Sequence, residues 1–434
     1  MKITDFLDNE VGNFASYSVL RAIPSLIDGQ KNASRKVIYY MSKYGNKDEK
    51  LFNLEGKIQS EVQYLHGSIG NVIVNLAKNY LGSNNLPLLT REGNFGARFN
   101  NSAAALRYIY TAKEKYFDNL FIKEDSEILI KQEFEGQKIE PRFFVPTLPI
   151  ILINGSEGIA TGFACKILPR KTEEIIKYLK NEKSNLKPFF KGFKGKIIKG
   201  EKLNQWKILG IFKRVSKTEL LITEIPVGYE LSNYISILDK LEDLKIIKSY
   251  IDLSDNDIFK FKIKVDINFL KENSDEDILI KLKLIKTITE NFTVIDEFNK
   301  IKQYTKAEEI IDHYKKIKNK YNIIRKKFIQ EKKKNELLLI SSKLIFLKGV
   351  IENKIIINRK TKTEIINQLM SIKGIIKYNT NYDYLLKIPI YNLSNEKIIE
   401  IENLIILKKG EYKQFINRET EEIWKTEITN LFSN

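Results

Sequence analysis

Among the side chains of this sequence, the adjacent pair Arg107 and Tyr108 has the clearest chemical potential. A tyrosine oxygen can attack phosphorus, and a fork-shaped, permanently charged guanidinium beside it can hold the phosphate. An unperturbed phenol has a pKa near ~10, so about one in a thousand is ionised at neutral pH and nearby cations must lower that cost. In a chain with 21 tyrosines and 73 lysines and arginines such neighbours also arise by chance. The frame around the pair is more restrictive. Residues 93–110 read GNFGARFNNSAAALRYIY, a glycine-marked turn and then a small-residue run that ends on Arg107 and Tyr108.

That frame, GNFGxR followed by AAAxRYI, resembles the catalytic segment of type IIA DNA topoisomerases, in their DNA-breaking subunit or domain. Upstream, Arg21 to Lys31 (RAIPSLIDGQK) and Ser34 to Val37 (SRKV) are similar to the family's RAIPxxxDGxKPxxRRV segment. Downstream, Asn154 to Gly162 (NGSEGIATG) is similar to its NGxxGIxxG segment. Leu76 to Asn85, Gly136 to Pro141 and Tyr382 to Leu386 continue the likeness in order, so that it covers nearly the whole chain.

The resemblance implies a reaction and a set of roles. Tyr108 attacks a DNA phosphate, stays on the new 5′ end, and is displaced by the freed 3′ hydroxyl on resealing. Arg107 and His66 stabilise the charge that builds on the phosphate oxygens. Arg21, Lys31, Arg35, Lys36 and Arg98 neutralise backbone phosphates around the break, Asn154 approaches the reactive phosphate, and Ile159 wedges between base pairs. The sequence departs from type at Ser68, where an acidic residue usually follows His-Gly, at Leu65 in place of a common histidine, and at Asn32 in place of proline.

Neither a Walker-type loop nor the Glu-Gly-Asp-Ser and Asp-x-Asp carboxylate set that holds magnesium in these enzymes occurs. Mg2+ and ATP are therefore expected on a partner, a separate ATPase and metal-binding subunit, working with a homodimer of this chain on double-stranded DNA. No metal ligands are expected on this chain. Length and the lack of a DNA-wrapping domain are most similar to the T-even-type phage branch of the family, with relaxation or decatenation as the expected task. A catalytically silent DNA-bending or tethering dimer of the same fold is the alternative. A basic coiled-coil scaffold would explain only the residues from Lys306 onward.

Composition points the same way without the family. A net charge of +18 predicts a polyanionic partner. Cys165 is the single cysteine, which precludes a disulfide framework within the chain and suggests a reducing, cytoplasmic setting, the host cytoplasm if a phage encodes it. His66 and His313 are too few and too far apart for a Cys/His zinc site. The acidic run Asp275, Glu276, Asp277 reads as solvated loop, and Asp28-Gly29 as a turn.

The elements that must position these residues follow from periodicity. Ala33 to Met41 places Val37, Ile38 and Met41 on one helical face. Pro149 to Asn154, Lys196 to Lys199, Glu219 to Ile225 and Phe259 to Val265 read as strands bounded by turn residues. From Lys306 to Gly349 no proline or glycine interrupts a seam of Ile310, Tyr314, Ile317, Tyr321, Ile324 and Phe328, with Lys315, Lys316, Arg325, Lys326 and Lys327 on a solvated face. Ile398 to Phe432 is expected to return antiparallel. The expected fold class is α+β multidomain: a winged-helix cleavage domain over 1–145, a mixed α/β tower domain over 146–303, antiparallel coiled-coil arms at 304–343 and 395–434, and an exit-gate tip over 344–394 that closes a second dimer contact.

Overall fold

A computed structural model describes residues 3–64 and 66–433; Leu65 lies outside the described residues. The chain packs as two compact units, Met1–Lys318 with Glu427–Asn434, and Asn319–Thr426.

In the first unit, helical backbone over Ile3–Val11 leads into α1 (Gly12–Ala22), which ends in extended backbone at Ile23 because Pro24 follows. Then α2 (Asn32–Tyr44) buries Val37, Ile38 and Met41 as its pattern predicts. Between them Gly29 has φ +68°, and a Cβ there would stand 2.5 Å from the Ile151 backbone nitrogen, so only glycine fits the turn. Leu51, Leu54 and Ile58 of α3 (Leu51–Glu61) and Ile73, Val74 and Ala77 of α4 (Gly70–Ala77) complete this part of the core. The segment expected as a strand at Pro149 to Asn154 is instead a short helix, Ile150–Asn154. Its four apolar residues are all buried, and a short run buried on every side has no period to separate strand from helix.

An antiparallel hairpin follows, β1 (Ser156–Ala160) with β2 (Phe163–Ile167). Two further sheets use β3 (Lys196–Lys199), β4 (Gln205–Leu209), β5 (Ile211–Ser216), β6 (Glu219–Glu224), β7 (Ser249–Asp252), β8 (Phe261–Lys264) and β9 (Ile285–Thr289). Their orders are β9-β4-β3 and β7-β8-β6-β5, antiparallel throughout. Leu220, Ile222, Phe261 and Ile263 bury one face of the larger sheet with Tyr234, Leu238 and Leu241 of α5 (Leu231–Asp243). The acidic run expected in a loop is the first turn of α6 (Asp275–Lys281), where Ser274 and Asp277 form a reciprocal capping box. Carboxylates there complement the helix dipole, which accounts for the cluster.

The unbroken helix expected from Lys306 is α7 (Ala307–Ile351). Its seam holds at Ile310, Tyr314 and Ile317, but the buried face then runs through Lys318, Asn322 and Arg325, while Ile324 is 40% exposed. Arg325, expected on the solvated face, is 3% exposed. A straight helix repeats every 3.6 residues, so its buried face drifts away from a 3.5-residue seam. Lys318 is held by Asp125 at 3.1 Å and by the Val145 carbonyl at 3.0 Å.

In the second unit α9 (Asn395–Asn417), which follows α8 (Lys362–Ser371), runs antiparallel to α7. The pairings show it: Lys326 to the Arg418 carbonyl, Lys333 to Glu411, Glu336 to Lys408 and Lys348 to Glu402. Phe346, Leu369, Tyr382, Leu385 and Ile405 form its core. No described helix is long and apolar enough to cross a membrane.

Candidate active site

Tyr108 ends a single 3-10 turn, Leu106–Tyr108, and is 64% exposed. The chain on either side holds that turn. Its own N–H bonds the Ala105 carbonyl at 2.9 Å. Just beyond it, the Ile109 carbonyl accepts from Leu51 at the start of α3, and Tyr110 exchanges backbone bonds with Glu92 at 2.9 and 3.0 Å. Gly93 (φ +95°) closes the turn so tightly that a Cβ would meet the Ile109 side chain at 2.9 Å and the Tyr108 carbonyl at 3.2 Å. The glycines legible in the sequence thus clamp the backbone and leave the tyrosine ring outside.

Arg107 is exposed, and its guanidinium lies 4.9 Å from the Tyr108 ring centroid. Among the described residues it has no ion pair, so an anion approaching the phenol meets a cation with no carboxylate to displace. On the other side, Leu106 packs where a Cβ on Gly70 would be, at 2.2 Å, so the tyrosine turn abuts the start of α4. His66 is in the loop leading into that helix, exposed, with the Tyr17 hydroxyl 2.9 Å from Nε2 and 3.2 Å from Nδ1. Glu55 fixes the loop by accepting from the Ser68 hydroxyl at 2.5 Å and the Gly70 N–H at 2.9 Å. Ser68, a departure from type in sequence, is one partner of that anchor.

Ile159 is 81% exposed on β1. Its hairpin is seated on α1: a Cβ on Gly158 would stand 2.1 Å from the Ala22 carbonyl oxygen, and the Thr161 N–H donates to the Ser18 hydroxyl at 3.2 Å. Lys31 donates to the Glu157 carbonyl at 2.7 Å, and burial lowers its pKa. Arg21, at the C-terminal turn of α1, is exposed and has no ion pair among the described residues. The Ile159 hairpin, α1, the His66 loop and the Tyr108 turn are therefore linked by successive contacts.

Four other residues expected at phosphates make contacts within the fold. Arg35 is 6% exposed and grips Asp28 with Nε at 2.7 Å and Nη2 at 3.1 Å. Asp28, fully buried, also accepts from Gln30 N and Phe144 N, so the turn expected at Asp28-Gly29 ties three segments together. Lys36 is held by Glu140 at 2.9 Å and the Val62 carbonyl at 3.0 Å. Arg98, 8% exposed, pairs with Glu224, donates to the Ile225 carbonyl at 3.1 Å and lies 4.7 Å from the Phe259 ring centroid. Asn154 exchanges two 2.8 Å bonds with the Leu86 backbone. A buried cation with a carboxylate partner is costly to separate, so Arg35 and Arg98 brace the site.

Tyr17 and Glu55 were not singled out from sequence. Neither belongs to a motif, and only the fold brings them to the His66 loop. The other histidine, His313, is bonded to Tyr304 and to Glu297 at 3.1 Å. Among the described residues no three His, Cys, Asp or Glu side chains converge as a metal site requires. The buried Asp28, Asp125, Glu140, Glu224 and Glu290 each face a cation of the fold. These buried carboxylates are therefore committed to the fold.

Comparison with known proteins gives the family of the chain. The family model for the A-subunits of DNA gyrase and topoisomerase IV matches residues 21–429. A mitochondrial DNA topoisomerase 2 of Dictyostelium discoideum is 32% identical over 447 residues, covering 98% of this chain and 35% of that protein. The DNA topoisomerase medium subunit of Enterobacteria phage T4 is 31% identical over 441 residues, covering 98% of this chain and 95% of that protein. This chain thus spans about a third of the eukaryotic relative and nearly all of the phage one. The crystal structure of the Plasmodium falciparum topoisomerase II DNA-binding, cleavage and re-ligation domain superposes with a TM-score of 0.90 at 30% identity, over 99% of this chain and 64% of that one. The chain belongs to the DNA gyrase/topoisomerase IV A-subunit family, the breakage-reunion branch of the type IIA DNA topoisomerases.

Proposed function

We propose that this chain is the DNA-breaking and rejoining subunit of an ATP-dependent type II topoisomerase, with Tyr108 as its nucleophile. The observation that carries the reading is an exposed tyrosine on a clamped turn, with the cation Arg107 beside it, inside a family match that spans residues 21–429. The Tyr108 hydroxyl gives up its proton as its oxygen bonds to phosphorus. The bond from phosphorus to the 3′ oxygen breaks, and that oxygen takes up a proton. A phosphodiester is exchanged for another of similar energy, so the reverse step reseals the strand. Arg107 and His66 face the oxygens on which charge builds, the kind of preorganised donor whose loss typically costs ~3 kcal/mol. Arg21 neutralises neighbouring phosphates, and Ile159 wedges between base pairs from a hairpin seated on α1.

Two copies related by a two-fold axis cut opposite strands, so that a second duplex can pass. In this reading α1 to α4 with their neighbours form the winged-helix domain, the two larger sheets the tower, α7 with α9 the coiled-coil arms, and the α8 region the exit gate. Mg2+ and ATP reside on a separate ATPase and metal-binding subunit, as the near-complete overlap with the phage medium subunit supports. The test is denaturing trapping of end-labelled duplex with the assembled enzyme and Mg2+, wild type against Tyr108→Phe. A covalent 5′ adduct that vanishes in the variant supports the reading. Tight binding without an adduct from either protein would establish the silent DNA-bending dimer instead.

A further inference from the structure

One helix, α1, holds two parts of the site that lie far apart in sequence. On one side its Tyr17 hydroxyl sits within reach of both imidazole nitrogens of His66, 2.9 Å from Nε2 and 3.2 Å from Nδ1. A hydroxyl donates its proton to one nitrogen at a time, so the other is left for a ligand. Tyr17 and Tyr64 also flank the imidazole, with ring centroids at 5.7 and 5.8 Å. One residue on, Ser18 accepts from Thr161 N in the Ile159 hairpin, and the Ala22 carbonyl fills the place a side chain on Gly158 would need. The hairpin therefore cannot shift toward α1 without moving the helix that holds His66.

We propose that Tyr17 is a positioning residue for His66, and that α1 couples the orientation of His66 to the seating of the Ile159 hairpin. Tyr17 touches no reacting atom. It presents one imidazole nitrogen toward the phosphate at Tyr108, and its hydroxyl determines which. When DNA loads the hairpin, α1 carries the displacement to the His66 loop, so the histidine takes its working position on bent DNA. This role rests on the Tyr108 chemistry proposed above.

The test uses Tyr17→Phe, which deletes one oxygen from a residue that is 44% exposed and should leave the fold intact. The chain has two histidines, so labelling their Cε1 carbons gives two signals, and His66→Gln identifies the one from residue 66. Tyr17→Phe is expected to move the His66 signal, leave that of His313, and keep duplex binding unchanged. In the assembled enzyme it should lower the initial rate of Tyr108 adduct formation about five-fold, the loss expected for one hydrogen bond. The double variant with His66→Gln should be no worse than His66→Gln alone. An unmoved His66 signal, or a loss that adds to that of His66→Gln, would overturn the positioning role. Gly158→Ala should also move the His66 signal, and a signal that stays put would overturn the coupling. A wild-type assembly that forms no adduct defeats the functional reading instead, and the two sets of spectra still decide whether α1 links histidine and hairpin.

Discussion

Replacing Arg35 should damage stability and leave DNA binding alone, although Arg35 is in the most basic family-like segment of the chain. In Arg35→Met the partner Asp28, fully buried, keeps its backbone donors Gln30 N at 2.9 Å and Phe144 N at 3.0 Å. It loses both guanidinium bonds, at 2.7 and 3.1 Å, and with them its counter-charge in the fold. Breaking one side of a buried pair costs about 3–5 kcal/mol, which for a unit of this size is a fall in Tm of roughly 5–10 °C. Arg21→Met is the control with the opposite expectation. Its side chain is exposed and has no ion pair among the described residues, so Tm should hold within about 1 °C, while one lost phosphate contact lowers the slope of log K against log salt by ~0.9. Scanning calorimetry and duplex anisotropy at several salt concentrations read the two quantities separately. An Arg35 variant that keeps its Tm and loses a unit of salt slope would refute the structural role.

Gly158→Ala places a methyl 2.1 Å from the Ala22 carbonyl oxygen, with backbone on both sides, and should cost about 1–3 kcal/mol and reduce DNA bending measured by end-to-end energy transfer. Gly56→Ala, in open space on the helical backbone of α3, should bend DNA normally; equal bending by both variants would speak against the seating on α1. Burial pushes the Cys165 thiol up to about 12, so at pH 8 it stays protonated and should resist a thiol-disulfide reagent until the protein unfolds. Rapid labelling of the native protein would contradict that burial. The Glu364 carboxyl is held down to about 2, first by the Thr361 backbone N–H and then by Lys360. Its folded pKa is below the ordinary value of 4.5, so its capping of α8 is complete above about 4.5 and is lost as pH falls toward about 2. Carboxyl-carbon NMR shifts should titrate in that low range, and a midpoint near 4.5 would remove the cap from the account.

The Tyr108 turn was legible because its causes are local. Gly93 and Gly96 take positive φ, and a small-residue run leads to the pair. The long helix and most strands were legible for the same reason, since periodicity is a local property. Charge roles were not. The partners that these Lys, Arg and Asn side chains meet in the fold lie far off in the sequence: Glu140 is 104 residues from Lys36, Glu224 is 126 from Arg98, and Leu86 is 68 from Asn154. Even Asp28, only seven residues from Arg35, reads as a simple turn until the fold brings Phe144 to its second oxygen. The helix at Ile150–Asn154 was missed because burial on all sides erases the pattern that distinguishes it. Tyr17 carried no signal in sequence, since its meaning comes from a histidine 49 residues away.

The most direct test of Tyr108 as the nucleophile is to identify the residue that carries the DNA. Trapped adduct, digested with nuclease and protease and analysed by mass spectrometry, should show a nucleotide phosphate on Tyr108 and none on Tyr110, which backbone bonds to Glu92 hold in a bridge two residues away. A phosphate mapped to any other tyrosine would contradict the assignment of Tyr108.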